Sequence, residues 1–180
     1  MRWDALFGDL SAQWDAEVRR ELDAEVADRT RRERAALGLY ERLCAAGEDR
    51  VGLGLLTGTA LTGRVADVGD GWVLLAGDAG RMSLVPFTGL TSVTGLTSRA
   101  GGSPMGRSFG FGYALRGLSR DRAVVTVTDR AGARVTGTID GVGRDVLDVS
   151  EHAADLPRRP ENVIGRRVVP FSAVVVVGAA

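Results

Sequence analysis

The sequence predicts an α+β protein that is mostly β: an N-terminal helical segment, then two tandem five-stranded small barrels, each preceded by a helix. The first observation behind this prediction is that residues 58–75 recur as residues 132–149, with Gly, Thr and Val at the same places 74 positions apart. The second is that Val85-Pro86-Phe87 recurs as Val169-Pro170-Phe171, 84 positions apart. An internal repeat of this kind indicates a duplicated structural unit.

The N-terminal segment carries an apolar stripe with a four-residue period, which predicts an amphipathic helix. A polar stretch at 28–33 interrupts the stripe, so the pattern fits either one long helix or two helices in sequence. The stripe fits either packing on the chain's own strands or docking to a partner protein. The candidate docking residues are Trp3, Phe7, Leu10, Trp14 and Val18.

The first barrel is predicted from alternating apolar residues separated by glycine-rich turns. Strands are expected near 51–55, 61–68, 72–75, 82–85 and 90–93. Pro86 interrupts the fourth strand, because proline has no N–H to donate to a ladder. Five short strands with closely spaced turns are typical of a small closed barrel.

The second barrel repeats this order after a linker rich in Gly, Ser and Pro. A short helix is expected within 112–120. The loop before the fourth strand, within residues 150–166, is ten residues longer than in the first copy, and we call it the long loop. The predicted boundaries are 1–35 for the amphipathic helix, 36–97 for the first barrel with its leading helix, 98–109 for the linker and 110–180 for the second barrel with its leading helix. A loop elaborated in one copy only is a candidate for function.

The composition favours a soluble protein of the reducing cytoplasm. Cys44 is the only cysteine, so no internal disulfide is expected, and its helical position predicts a core residue. No apolar run approaches the ~20 residues of a membrane span, which argues against a membrane partner. The net charge of zero argues against strong nonspecific binding to DNA.

Catalytic chemistry is not expected. His152 is the only histidine and is predicted to lie on the surface of the long loop. General acid–base catalysis and zinc binding usually recruit several such residues. We therefore predict no catalytic residue, no metal site and no cofactor, and conclude that the chain is not an enzyme.

Arginine is locally in excess in the second half of the chain. Residues 98–122 carry a net charge of +4, and further arginines cluster near the long loop. If these groups face one way, they form a strip that follows a phosphate backbone; otherwise they form a solvated surface. The candidate nucleic-acid-binding residues are Arg116, Arg120, Arg122, Arg144, Arg158, Arg159, Arg166 and Arg167.

The repeated unit resembles the Sm-like barrel. Residues 62–75 follow the spacing of the first Sm motif without a gap, as do residues 135–149 around Gly137. The Val-Pro-Phe break also resembles the C-terminal SH3-like barrel of bacterial ribosome-maturation factors. The start, Met1 to Phe7, resembles an uncharacterised family of actinobacterial proteins.

The resemblance implies a fold but not an RNA pocket. RNA-binding Sm proteins carry an Asp-x-aromatic-x-Asn type loop and an Arg-Gly pair. Here those places hold Gly69-Asp70-Gly71 and Gly143-Arg144-Asp145, then Pro-Phe in both copies. No aromatic or asparagine side chain is placed there to stack on or pair with a base.

Two functional hypotheses follow. The first is a non-enzymatic binding module that associates with RNA through its arginine-rich surface. The second is an interaction scaffold that binds a protein partner, or a second copy of itself, through the N-terminal helix and the barrel edges.

Overall fold

The computed structural model describes residues 2–102 and 108–179. Contacts divide the chain into two units, Met1–Gly38 and Leu39–Ala180. The first unit contains one helix, α1 (Arg2–Ala35), so the polar stretch at 28–33 does not end it. Asp28 pairs with Arg32 one turn later, and ion pairs at this spacing stabilise an exposed helix.

In its described residues, the second unit contains two short α-helices and ten strands. The helices are α2 (Leu39–Cys44) and α3 (Phe111–Arg120). The strands of the first copy are β1 (Arg50–Leu55), β2 (Ala60–Gly69), β3 (Trp72–Ala76), β4 (Met82–Pro86) and β5 (Leu90–Thr94). Those of the second copy are β6 (Val124–Asp129), β7 (Arg134–Val142), β8 (Val146–Glu151), β9 (Gly165–Pro170) and β10 (Val174–Ala179).

All ten strands form one open antiparallel sheet, so the prediction of two separate five-stranded barrels is wrong. The strand order is β5-β1-β2-β3-β4-β10-β6-β7-β8-β9. The two copies join where β4 pairs with β10, at Leu84↔Val177 and Ser83↔Gly178. Because β4 of the first copy is hydrogen-bonded to β10 of the second, the five strands of neither copy close into a barrel.

The two copies nevertheless have the same ladder, including its irregularities. The β2–β3 register shifts between Val65 and Asp67, and the β7–β8 register shifts at the matching Ile139 and Gly141. Bulges of this kind bend a strand and increase its twist. The repeated sequence therefore specifies the same local bend twice.

Two hydrophobic clusters share strand β10. Val174 and Val177 belong to a cluster that contains Leu84 and Trp72 of the first copy. Val175 belongs to the other cluster, which is otherwise built by the first copy. The register of β10 against β6 shifts between Val174 and Val176, which breaks the regular alternation of faces, so one strand contributes to both cores.

Helix α3 packs on the second copy and leads into its first strand. Leu115 is fully buried, and the Ser119 hydroxyl donates to the Ile139 carbonyl at 3.1 Å. This contact holds the end of α3 against β7.

Of the helices in the described parts of the chain, none has the length and apolar character needed to cross a bilayer.

Candidate functional site

The second copy holds a cavity of about 280 Å³ in which three of the predicted arginines meet. We call it the arginine pocket, and define it by its lining residues. These are Ser119, Arg122, Thr138, Ile139, Asp140, Arg158 and Arg166. They come from the end of α3, the connection to β6, strand β7, the long loop and strand β9, so the pocket exists only in the folded sheet.

Arg158 is held in the pocket by two parallel hydrogen bonds to one carboxylate. Its Nε donates to Asp140 Oδ1 at 2.6 Å, and its Nη2 donates to Asp140 Oδ2 at 2.7 Å. The Ser150 hydroxyl also donates to Asp140. The Arg158 hydrogen bond, then that from Ser150, lowers the pKa of Asp140, while burial opposes the shift. The carboxylate therefore stays ionised and ties the long loop to β7.

Arg122 reaches the pocket from a strained backbone position. It lies between α3 and β6 and has a φ of 49°, the one positive value at a non-glycine residue among the residues described. An arginine in the left-handed region costs energy and is kept only where its surroundings require it. No hydrogen bond or ion pair occupies its guanidinium within the described part of the chain.

Arg166 lies on β9, opposite Ser150 of β8, and lines the pocket from the other side. Like the guanidinium of Arg122, the guanidinium of Arg166 forms no hydrogen bond or ion pair with any residue in 2–102 or 108–179. A second cavity of about 320 Å³ shares Arg166 and Asp140 with the arginine pocket and adds Arg167. Arg167 is already engaged, because its Nε donates to Glu151 Oε2 at 3.0 Å.

The structure thus brings together Arg122, Arg158 and Arg166, and places Arg167 at the adjoining cavity. The other four candidates line neither cavity: Arg116 and Arg120 lie on α3, Arg144 lies in the turn after β7, and Arg159 lies in the long loop. Of the three arginines that line the arginine pocket, Arg122 and Arg166 have uncommitted guanidinium groups.

His152 is buried, so the prediction of a surface histidine is wrong. Only 1% of the residue is exposed. Its Nδ1 donates to the Ala153 carbonyl and its Nε2 contacts the Thr138 hydroxyl, each at 2.9 Å. In the neutral ring, Nε2 then accepts from Thr138. His152 lies at the start of the long loop, directly after β8. Its hydrogen bond holds Thr138 in the wall of the arginine pocket.

The residues that organise the arginines, above all Asp140, Thr138 and Ser150, are not predicted by the sequence pattern. One signal was present: Asp140 and Ser150 are polar residues of the second copy whose counterparts 74 positions earlier are Ala66 and Ala76. A polar residue on a strand of one copy, where the other copy has alanine, is the difference that marks the site.

The predicted docking stripe on α1 is described only in part. Trp3, Phe7 and Leu10 belong to the stretch of α1 whose side chains lie outside the described residues. Trp14 is 74% exposed, and Val18 is also exposed.

The remaining chemistry is sparse. Cys44 is half-buried beside Tyr40, and burial raises the pKa of its thiol, which disfavours a reactive thiolate. Within residues 2–102 and 108–179, no group of three His, Cys, Asp or Glu side chains is arranged to hold a metal ion.

Comparison of the chain with protein-family models gave no match, and comparisons with curated proteins and with solved structures gave none either.

Proposed function

We propose that the chain is a non-enzymatic binding module of the cytoplasm whose arginine pocket binds backbone phosphates of single-stranded RNA. The observation that carries the proposal is the pair of uncommitted guanidinium groups, Arg122 and Arg166, on opposite sides of one cavity. Arginine presents a planar fork of donors that matches phosphate oxygens.

The pocket supports phosphate binding better than binding of a neutral ligand. Its lining includes three arginines against one aspartate, and that aspartate is already paired with Arg158. Arg122 and Arg166 are therefore without a hydrogen-bonded carboxylate among the described residues, although the charge of Arg166 also helps to lower the pKa of Asp140. The hydroxyls of Ser119 and Thr138 are committed to Ile139 and His152, so the arginines are the groups with free donors.

The test is the salt dependence of RNA binding. We expect a fluorescently labelled single-stranded oligouridylate to bind at low salt with a slope of log K against log salt that includes about −1.4 from two phosphates, at about −0.7 each. Replacing both free arginines, Arg122→Gln with Arg166→Gln, should remove that part of the slope. It should also weaken binding at least about tenfold, because charge-assisted hydrogen bonds are lost.

The matched control is Arg120→Gln with Arg144→Gln, which makes the same change of charge in the same copy at arginines that line neither cavity. This control should bind RNA within about twofold of the unchanged protein, as expected when only exposed charges are lost. The proposal fails if the unchanged protein binds no RNA below about 100 µM at low salt, which is weaker than ordinary nonspecific binding. It fails equally if uridine monophosphate binds as tightly as the oligonucleotide.

A protein-interaction scaffold is the second candidate, and the exposed apolar residues favour it. Trp14 and Val26 of α1 are exposed, as are Ile164 and Val168 at the last strand of the sheet. A scaffold of this kind binds through apolar contacts, so its binding would respond little to salt or to loss of Arg122 and Arg166. The titration above therefore separates the two candidates.

A further inference from the structure

We propose that the cavity beside the arginine pocket binds a ribose, and that Asp148 accepts a hydrogen bond from its 2′-hydroxyl group, so that the protein selects RNA over DNA. We call this cavity the sugar cavity. Its volume is about 320 Å³, and its lining includes Asp140, Gly141, Asp148, Arg166, Arg167 and Val168. The inference rests on the proposed binding of RNA phosphates in the arginine pocket, and it adds the group that distinguishes RNA from DNA.

The sugar cavity and the arginine pocket are neighbours on one face of the sheet. They share Asp140 and Arg166. Arg166 and Val168 are two positions apart on β9, so their side chains point to the same face, about 7 Å from each other. Asp148 of β8 lies directly opposite Val168. A phosphate held by Arg166 and a ribose beside Asp148 are therefore separated by no more than the length of one nucleotide.

The charged groups of the sugar cavity disfavour a second phosphate. Arg167 already donates to Glu151, and Asp140 is already bonded to Arg158. The side chain of Asp148 forms no hydrogen bond or ion pair with any residue in 2–102 or 108–179. Its negative charge repels a phosphate. An ionised carboxylate can only accept hydrogen bonds, so the ligand group that suits it is an uncharged donor such as a hydroxyl.

The strands on either side leave the Asp148 carboxylate accessible. Asp148 lies opposite Gly141 of β7 and Val168 of β9, and its side chain is exposed. A Cβ at Gly141 would lie 3.2 Å from Asp148 Oδ2, so a larger side chain there would crowd the carboxylate. The glycine thus keeps open the space that a hydroxyl group needs.

The repeated fold does not require a carboxylate at this position. The counterpart of Asp148 in the first copy, 74 positions earlier, is Leu74, which packs against a hydrophobic cluster. The counterpart of Val168, 84 positions earlier, is Leu84. Leu84 is 2% exposed, whereas Val168 is 64% exposed. The face that is covered in the first copy is therefore open in the second, and there it carries a charge.

Val168 gives the sugar cavity an apolar side opposite the carboxylate. Sites for small ligands combine apolar lining with a few polar groups that fix the orientation of the ligand. A ribose matches this combination, because its ring carries C–H groups as well as hydroxyls. We therefore expect the sugar to pack on Val168 and to direct its 2′-hydroxyl to Asp148.

The test compares three oligonucleotides of one length on the full chain at low salt. They are an oligouridylate, the corresponding oligodeoxyuridylate and a 2′-O-methyl oligouridylate, which share the base and the phosphates. The oligouridylate should bind at least about tenfold more tightly than either of the others, because only its 2′-hydroxyl can donate to the carboxylate. The deoxy and 2′-O-methyl forms should bind alike.

Asp148→Ala should reduce the preference for the oligouridylate over the oligodeoxyuridylate to within about twofold. The oligodeoxyuridylate should still bind this variant, since its contacts are with the arginine pocket, and that binding shows that the variant is folded. Asp155→Ala is the matched control, because it removes the same charge from the same copy at a residue that lines neither cavity. This control should keep the preference of the unchanged protein.

Three results would overturn the inference while leaving phosphate binding intact. They are equal binding of the oligouridylate and the oligodeoxyuridylate, a preference that survives Asp148→Ala, and binding of the 2′-O-methyl form as tightly as the oligouridylate. The last would show that the 2′-oxygen does not act as a donor. If the unchanged protein binds none of the three oligonucleotides, the proposed function fails as well.

Discussion

At the scale of single residues, the second copy differs from the first by a polar network rather than by a catalytic group. Asp140 accepts hydrogen bonds from Arg158 and Ser150, and His152 is bonded to Thr138. Each of these side chains is buried or half-buried. The network ties the long loop to β7, and with it one wall of the arginine pocket.

The ion pair of Asp140 predicts a pH-dependent stability. The pKa of Asp140 is lowered in the folded state, so its contribution to the free energy of unfolding is fully present above the ordinary carboxyl pKa of about 3.9. It is lost as the pH falls through the lowered folded-state pKa. Asp140→Asn should therefore reduce stability by about 1 kcal/mol at pH 7, the upper range for a partly exposed pair, and by little at low pH.

Denaturant unfolding at several pH values measures this effect. Asp148→Asn is the matched control, since Asp148 lies on the neighbouring strand, lines the adjoining cavity and has no ion-pair partner within the described residues. A constant destabilisation by Asp140→Asn across the pH range would show that the carboxylate charge is not the cause.

At the scale of elements, the repeated glycines are fixed by packing against the next strand. A Cβ at Gly137 would lie 2.0 Å from the Ser150 carbonyl oxygen, and one at Gly63 would lie 2.3 Å from that of Ala76. These contacts are with backbone, so they cannot be relieved by a side-chain rotation. The glycines recur in the sequence because both bends bring two strands into the same close contact.

We expect Gly137→Ala to lower the free energy of unfolding by about 2 kcal/mol or more, because the β7–β8 ladder must shift to admit the methyl group. Gly178→Ala is the control, since a Cβ there meets nothing within 4 Å. Chemical denaturation of the two variants measures the difference. Equal stabilities would show that the close contact between these glycines and the next strand does not explain why glycine recurs at positions 63 and 137.

At the scale of the whole molecule, the second unit is one sheet with two cores that share a strand. Strand β10 supplies Val174 and Val177 to one hydrophobic cluster and Val175 to the other. Detachment of β10 from the sheet would therefore disrupt the cores of both copies. The unit from Leu39 onward should therefore unfold as a single cooperative element rather than as two domains.

Val175→Ala tests this coupling, since Val175 belongs to the second copy but packs in the cluster of the first. We expect a loss of about 2 kcal/mol from the buried methyl groups. Amide hydrogen exchange should show that β1 and β7 lose the same protection. Loss confined to β1 and its neighbours would indicate two independently unfolding copies.

The sequence by itself determined the elements of the second unit. The alternation of apolar residues and the glycine turns placed the ten strands, and the repeat predicted that the two copies share one local geometry, because bends, turns and Pro-Phe breaks depend on neighbouring residues. It also identified the arginines, although it could not select among them. The identity of a charged surface residue says nothing about which others it will face.

Only the tertiary structure decided how the strands of the two copies pair and where the arginines meet. The backbone N–H and C=O groups along the edge of β4 could pair with a strand of its own copy or with β10 of the other copy. No local sequence pattern distinguishes these two pairings. The arginine pocket likewise combines the end of α3, strand β7, the long loop and β9. The contacts of Arg122, Asp140, Arg158 and Arg166 are set by the sheet, since residues this far apart in sequence meet only when the chain is folded.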